Sequence, residues 1–181
     1  MKVLLRADSG TLRGTGHVMR CLTLGDELRS RGHEVHLMTA PLAAPWLAGL
    51  VEASGITVHD VVVDELPLNS IEAVGPDWVI VDSYRIDAQR ISALDEVVPV
   101  LAIIDGDSRG MRASLYLDQN LGAEKVQHPP EVLGRLLAGA QYSLVRDAIL
   151  RERRQDPWRY LTERPVIVSF MGGTDATKAS N

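Results

Sequence analysis

Residues 2–24 read KVLLRADSGTLRGTGHVMRCLTL, and this stretch decides the fold class. A short apolar run (2–7) leads into a glycine-rich loop (9–16), after which apolar side chains recur at spacings of three and four up to a stop at Gly32. Such spacing is typical of a helix with one buried face. A strand that passes through a glycine-rich loop into a helix is the opening of a β-α-β unit. The stretch therefore predicts a strand over 2–7 and a helix over 17–31.

The same alternation of short apolar runs and helical spacing continues along the chain. Residues 77–82 (DWVIVD) form an apolar run between two aspartates, as expected for a strand buried on both faces of a parallel sheet. The sequence therefore predicts an α/β domain, a Rossmann-like parallel sheet with flanking helices, in which this strand is central. The other predicted strands lie at 34–39, 56–63, 98–104 and 114–117, and the other predicted helices at 45–53 and 87–97.

The predicted domain occupies residues 1–146. The next segment, 147–164, is dense in charge and broken by Pro157, so we interpret it as a connector. Residues 165–171 (PVIVSFM) have the pattern of another buried strand, and a glycine turn follows them. We expect 165–181 to be the first strand and glycine-rich turn of a second domain that the chain does not complete.

Composition narrows the class of protein. The chain has 181 residues, 45% of them hydrophobic, and a net charge of −5, which together indicate a soluble globular protein of one domain or slightly more. No run of lysine and arginine supplies the basic surface that nucleic acids or anionic membranes require, so neither is an expected partner. Cys21 is the single cysteine and cannot form an internal disulfide, and the apolar run at residues 3–5 is too short for a signal peptide or a membrane span. The expected location is the cytoplasm, and the expected ligand is a small molecule.

The loop before the first helix carries the residues best suited to chemistry. Gly14 and Gly16 allow the backbone to approach a ligand closely, and the free N–H groups of a helix start favour an anion. The dinucleotide-binding fingerprint fails here, because Met19 stands where the third glycine belongs. His17 projects from the first helical turn, where the helix dipole disfavours imidazolium; it is a candidate general base, with a capping or packing role as the alternative. We interpret Cys21 as a core residue rather than a nucleophile.

Polar residues also follow at least four of the predicted strands. Because the carboxyl ends of parallel strands meet at one edge of a sheet, where ligands bind, we expect these residues to share one rim. Arg20 is a further candidate, with a solvated helix face as the alternative, and Asp87 is expected to cap the helix that follows it. Asp105 and Asp107 have no histidine or cysteine nearby to complete a transition-metal site, so neither a metal nor a cofactor is predicted. The predicted rim comprises Asp8, Ser9, Asp82, Ser83, Tyr84, Asp105, Asp107, Gln119 and Asn120.

Six blocks of sequence occur in a characteristic order: RADSG…GTGHVMRCLTL over 6–24, which counts as the first block, DSYRID at 82–87, IDG at 104–106, LDQN at 117–120, YSLVR at 142–146 and VSFMGGTD at 168–175. Together they resemble the PseG/SpsG-like family, nucleotide-sugar hydrolases of pseudaminic acid biosynthesis and their relatives associated with spore-coat polysaccharide synthesis. The resemblance covers nearly the whole chain and the first half of the family's length. The bare G-x-G-H motif is shared with the wider GT-B glycosyltransferases, whereas the first block in combination is more specific.

The resemblance implies a GT-B fold, in which two Rossmann-like domains face each other across a cleft, with the sugar held mainly by the first domain and UDP mainly by the second. It implies hydrolysis of a UDP-linked 2,4-diacetamido-2,4,6-trideoxy sugar to the free sugar and UDP, with His17 as the base. By the same matching, the expected nucleotide contacts are Gly172, Gly173 and Asp175. The expected sugar contacts are Asp8, Tyr84 and Asn120. From their positions in the sequence, further substrate contacts are expected at Ser9, Gly14, Gly16, Arg20, Asp82 and Asp105.

The chemistry of a glycosyl diphosphate agrees with this implication. Its leaving group is good, so cleavage needs a base to deprotonate water and donors that stabilise the departing diphosphate. Direct attack of water inverts the anomeric configuration. Two alternatives stay open, a GT-B transferase that uses an acceptor hydroxyl in place of water and a non-catalytic module that binds a sugar nucleotide. Without a second domain we expect weak or no hydrolysis, and we expect the strand at 165–171 to pair on an exposed sheet edge and promote a homodimer.

Overall fold

A computed structural model describes residues 1–10 and 14–153, which form a sheet with helices on both faces. The strands are β1 (Lys2–Ala7), β2 (Glu34–Thr39), β3 (Thr57–Asp60), β4 (Trp78–Asp82), β5 (Val100–Ile103), β6 (Leu115–Asp118) and β7 (Leu136–Ala138). They pair in parallel throughout, in the order β3-β2-β1-β4-β5-β6-β7. This architecture confirms the predicted Rossmann-like α/β class, and β4 is the middle strand, as predicted.

The helices of the described ranges are α1 (Gly16–Ser30), α2 (Pro45–Ser54), α3 (Leu68–Val74), α4 (Ala88–Asp95), α5 (Pro130–Leu133) and α6 (Asp147–Arg151), with 3₁₀ turns at Ala123–Lys125 and Ala140–Tyr142. Asp87 caps α4, as predicted, because its carboxylate accepts hydrogen bonds from the N–H groups of Gln89 and Arg90 at 2.6 and 3.3 Å. Along residues 1–10 and 14–153, no helix is both long enough and apolar enough to cross a membrane.

The sequence prediction misses strand β7 and helix α5, and the observed elements differ from it in further places as well. β3 ends at Asp60 rather than at residue 63, because the neighbouring strand β2 ends at Thr39, the register partner of Asp60. The sequence pattern misses α3, since seven residues with one buried side chain, Ile71, are too few to show a helical period. Helix α6 falls at the start of the segment 147–164, and the role of that segment as a connector stays a prediction.

Strand side chains alternate between two apolar layers, one on each face of the sheet. In β1, Val3 and Leu5 pack against α1 and α2, whereas Leu4 packs in the layer that contains α3 and α4. Cys21 is buried in the α1 layer, which confirms its predicted core position. α1 lies close to the sheet because Gly25 faces it; a Cβ at this position would lie 3.0 Å from Leu5 Cδ1.

The order of the strands fixes where a ligand site can form. From β1 the chain builds outward through β2 to β3, and it then crosses back to place β4 on the other side of β1. The connections that follow β1 and β4 therefore diverge, and in open α/β sheets this reversal opens the crevice in which ligands bind. In register, Ala7 at the end of β1 lies beside Asp82 at the end of β4. The two sides of the crevice thus begin at neighbouring residues.

Candidate functional site

The centre of the site is a hydrogen-bonded pair, His17 and Asp82. His17 lies in the first turn of α1, and its Nδ1 is 2.7 Å from Oδ1 of Asp82, which is fully buried at the end of β4. A carboxylate only accepts hydrogen bonds, and Asp82 Oδ1 lies closer to Nδ1 than Arg20 Nη2 does at 3.1 Å, so we assign the ring proton to Nδ1. In the neutral ring Nε2, the nitrogen on the far side of the ring from Asp82, is therefore unprotonated, and its lone pair can accept a proton. This is the tautomer that a general base requires.

Arg20 holds the same carboxylate from the next turn of α1. Its Nε donates to Asp82 Oδ2 at 2.9 Å and its Nη2 donates to Asp82 Oδ1 at 2.7 Å, which is a two-pronged contact. Partial burial opposes the charged form of Arg20, but Asp82 and Asp105 outweigh burial and raise the pKa of the guanidinium above its ordinary value. Arg20 is therefore permanently charged and holds both oxygens of Asp82.

A chain of polar contacts continues from Arg20 along the ends of β5 and β6. Asp105 Oδ1 accepts from Arg20 Nη1 at 3.2 Å and from Asn120 Nδ2 at 2.8 Å. Asn120 Nδ2 also donates to Asp118 Oδ1 at 2.9 Å, and Asp118 Oδ2 accepts from the N–H of Gly106 at 2.7 Å. The structure thus brings three of the residues predicted for one rim, Asp82, Asp105 and Asn120, into a single network. This network braces the loops that surround the pair of His17 and Asp82.

A cavity of about 350 Å³ opens beside His17. Tyr84 forms part of its wall, with its ring 4.7 Å from the His17 ring in an edge-to-face arrangement and 55% of its surface exposed. Arg20, Asp105 and Asn120 are not among the described residues of this wall, so their contact with a substrate stays a prediction. The described lining residues are Asp8, His17, Asp64, Asp82, Ser83, Tyr84 and Arg85.

Asp8 lines the cavity as part of a buried ion pair. Its two oxygens meet Nη1 and Nη2 of Arg6 at 2.8 Å each, and neither side chain is more than 3% exposed. The same oxygens accept from the N–H groups of Ala40 and Asp64 at 2.9 and 2.8 Å. Burial by itself raises the pKa of Asp8, but the bonds from Arg6 and from these two N–H groups outweigh it and lower the pKa below the ordinary value. Asp8 therefore ties the cavity wall together, and its predicted contact with a sugar stays a prediction.

The glycine-rich loop is closed by its own backbone. Gly10 and Gly14 exchange two hydrogen bonds, with N···O distances of 3.2 and 2.9 Å. Gly14 has a φ of 72°, a left-handed conformation that favours glycine, and Gly16 is the first residue of α1. Ser9, just before the bridge, is buried. The loop thus delivers the chain from the end of β1 to the start of α1, where His17 is held.

Some predicted features lie outside the described residues. These are the predicted strand at 165–171 and the expected nucleotide contacts Gly172, Gly173 and Asp175. The homodimer expected from pairing of that strand therefore stays a prediction.

Sequence reasoning singles out Asp8 but misses its partner Arg6. A signal for the pair exists, since residues two apart on a strand lie on the same face, and an arginine inside an apolar strand needs a partner. Asp64 and Arg85 carry no such signal, because they reach the cavity from loops whose course depends on the tertiary fold.

Strand order and site position together define the class of the domain, a Rossmann-like α/β domain with its candidate site at the carboxyl ends of the central strands. Among solved structures it is similar to the crystal structure of MurG from Acinetobacter baumannii, with a TM-score of 0.53 and 14% sequence identity. The match covers 72% of this chain and 44% of the MurG chain, so this chain spans less than half the length of MurG. At this identity the likeness shows the fold alone. No family model matches the sequence, and no curated protein matches it.

Proposed function

We propose that this chain is the sugar-side domain of a GT-B enzyme that hydrolyses a UDP-linked 2,4-diacetamido-2,4,6-trideoxyhexose to the free sugar and UDP, in the synthesis of a nonulosonic acid or a surface polysaccharide. The observation that carries the proposal is the pair of His17 and Asp82 at the wall of the 350 Å³ cavity. The resemblance of the sequence blocks to the PseG/SpsG-like family supports the choice of substrate.

The proposed reaction uses His17 as general base. Nε2 takes a proton from a water molecule while the water oxygen bonds to the anomeric carbon. The bond between that carbon and the diphosphate oxygen breaks, and its electron pair leaves with UDP. Asp82 stabilises the imidazolium formed at His17, which then returns its proton to solvent. Because water attacks directly, the first-formed sugar has the inverted anomeric configuration.

The start of α1 supports the binding of the diphosphate. Thr15, at the N-cap, makes no side-chain hydrogen bond to the first helical turn. The N–H groups of that turn and the helix dipole favour a negative charge in front of them. Since His17 belongs both to this turn and to the cavity wall, a sugar in the cavity places its diphosphate near the helix start.

Replacing Asp82 by asparagine tests the role of the carboxylate. An amide in its place can donate to Nδ1, which moves the imidazole proton to Nε2 and removes the base. We expect kcat for UDP release to fall about a hundredfold with little change in KM. The matched control is Asp60→Asn, at the end of edge strand β3 and outside the described cavity wall, which should leave kcat unchanged. Equal kcat for Asp82→Asn and wild type would exclude the proposed tautomer control.

The experiment that tests the function is an assay of UDP release with and without acceptor sugars. It is run with this chain and with a longer chain that continues past Asn181. We expect the longer chain to release UDP at full rate in water alone, this chain to release it more slowly, and NMR to show inversion in the first-formed sugar. Binding of the UDP-sugar without release would support a non-catalytic binding module instead.

A transferase is the second candidate function. The likeness to MurG in fold and the G-x-G-H motif shared with GT-B glycosyltransferases favour it. The same geometry serves this reaction, with an acceptor hydroxyl in place of water as the proton donor to Nε2 of His17. UDP release that depends on an added acceptor sugar would establish this function and overturn hydrolysis.

A further inference from the structure

We propose that Arg109 is a positioning residue that holds Tyr84 against His17. Arg109 lies in the loop between β5 and β6, and it reaches across to the turn that follows β4. The inference rests on the proposed function for its effect on rate, but the placement of Tyr84 can be tested without any activity.

Arg109 binds the carbonyl groups of the turn that contains Tyr84. Its Nη1 donates to the carbonyl oxygen of Tyr84 at 2.6 Å, and its Nη2 donates to that of Ser83 at 2.8 Å. A longer contact of 3.5 Å joins Nη1 to the carbonyl oxygen of Ile86. The planar guanidinium suits this task, because its donors point in a fixed fork toward two acceptors. The ammonium of a lysine is a single point of contact and does not reproduce the fork.

The N–H groups of the same turn are satisfied separately. Ser83 Oγ accepts from the N–H groups of Arg85 and Ile86 at 3.1 and 3.2 Å. These bonds are internal to the turn, so they define its shape but do not fix it relative to the rest of the site. Among the described residues, Arg109 is the side chain from a neighbouring loop that binds the carbonyl oxygens of Ser83 and Tyr84. It therefore ties the turn to the loop between β5 and β6.

The loop that carries Arg109 holds it in an uncommon conformation. Arg109 has a φ of 53°, in the left-handed region that residues with a side chain seldom adopt. Its N–H donates to Asp107 Oδ1 at 2.8 Å, and the N–H of Met111 donates to the carbonyl oxygen of Ser108 at 3.0 Å, so the loop is bonded on both sides of it. A non-glycine residue held in this region is a feature associated with functional sites.

Tyr84 depends on this external support. More than half of its surface is exposed, and its ring packs edge-to-face on the ring of His17, with the ring centroids 4.7 Å apart. Loss of the Arg109 contacts leaves the carbonyl groups of the turn to water and removes the tether that keeps the Tyr84 ring at this distance. The ring then leaves both His17 and the cavity wall.

The test uses NMR of the full chain with labelled histidine. Protons of the His17 ring sense the aromatic ring of Tyr84, so their resonances report its placement, and His17→Gln identifies them. We expect Arg109→Ala to move them most of the way to their positions in Tyr84→Ala, and Arg109→Lys to move them part of the way. Alanine keeps the Cβ, so it adds no backbone strain at this φ. The matched control is Arg112→Ala, an arginine of the same loop whose partner is the exposed Glu96, and it should leave the resonances in place.

Three NMR results would overturn the inference about Arg109. Wild-type His17 resonances in Arg109→Ala would overturn the inference, and so would their failure to move in Tyr84→Ala. Movement of all five histidines together would overturn it as well, because Arg109 would then support the whole fold. In the UDP-release assay, Arg109→Ala should lower kcat/KM roughly 10- to 100-fold through misplacement of the site. If the wild-type longer chain, which continues past Asn181, releases no UDP, the proposed function fails while the NMR result still decides the role of Arg109.

Discussion

Replacement of His17 by alanine is expected to lower kcat for UDP release about a thousandfold. The substitution removes the base that takes the proton from water, and a positioned base contributes roughly 10²–10⁴ in rate. The affinity for the UDP-sugar should change little, because the lost interaction develops mainly in the transition state. Added imidazole should restore part of the rate by entering the space that the side chain leaves. The measurement is initial-rate kinetics of UDP release with the longer chain.

His33→Ala is the matched control for this prediction. His33 lies directly before β2, at the opposite ends of the strands from the site, so its removal should leave kcat unchanged. Substrate binding without any loss of turnover in His17→Ala would contradict the role of His17 as base. Loss of binding and turnover together would assign His17 to substrate contact instead.

Asp8→Asn is expected to lower the free energy of unfolding by about 3–5 kcal/mol, because it leaves the buried guanidinium of Arg6 without its counter-charge. Arg6 keeps the carbonyl oxygens of Glu65 and Met38 at 2.8 and 3.4 Å, but these carry no full charge. Urea denaturation measures the loss. Glu96→Gln is the control, since it breaks the exposed ion pair with Arg112 and should cost less than about 1 kcal/mol. Equal losses in the two variants would contradict a stabilising role for the buried pair.

The pH dependence of the same variant checks the cause. The pKa of Asp8 in the folded chain lies below its ordinary value of 3.8, so the unfolded chain binds this proton more tightly. The contribution of Asp8 to stability is therefore fully present above about pH 3.8 and is lost as pH falls through the folded pKa. Wild type should lose stability more steeply than Asp8→Asn in this acid range. Parallel curves for the two proteins would show that Asp8 titrates alike in both states.

Much of the fold can be predicted from local pattern. The apolar run of β4 predicts a buried central strand because both faces of a parallel sheet are covered, and that prediction is confirmed. The N-cap at Asp87 and the buried position of Cys21 are also confirmed, because each depends on the residues next to it in the helix. Helix α3 is not predicted, because its seven residues bury a single side chain and therefore show no helical period.

In the candidate site, too, the features that depend on local pattern can be predicted and those that depend on side-chain placement cannot. His17 and Asp82 stand out in the sequence because one starts a helix and the other ends a strand, and parallel topology brings such ends together. Their hydrogen bond, which fixes the tautomer, depends on side-chain placement that no spacing along the chain encodes. Arg109 illustrates the limit, since its partners are backbone carbonyl groups 23 to 26 residues away, and any sequence offers such groups.

The reversal of strand order between β1 and β4 also decides which parts of the domain can loosen without harm to the site. Strand β4, which ends at Asp82, and strand β1, which leads into the loop before His17, each have a partner on both sides, whereas β3 and β7 lie at the edges of the described sheet. Local opening costs least where contacts are fewest, so fraying begins at these edges. A molecule that has briefly released an edge strand still keeps His17 hydrogen-bonded to Asp82. The candidate site is therefore separated from the local opening that the sheet undergoes most often.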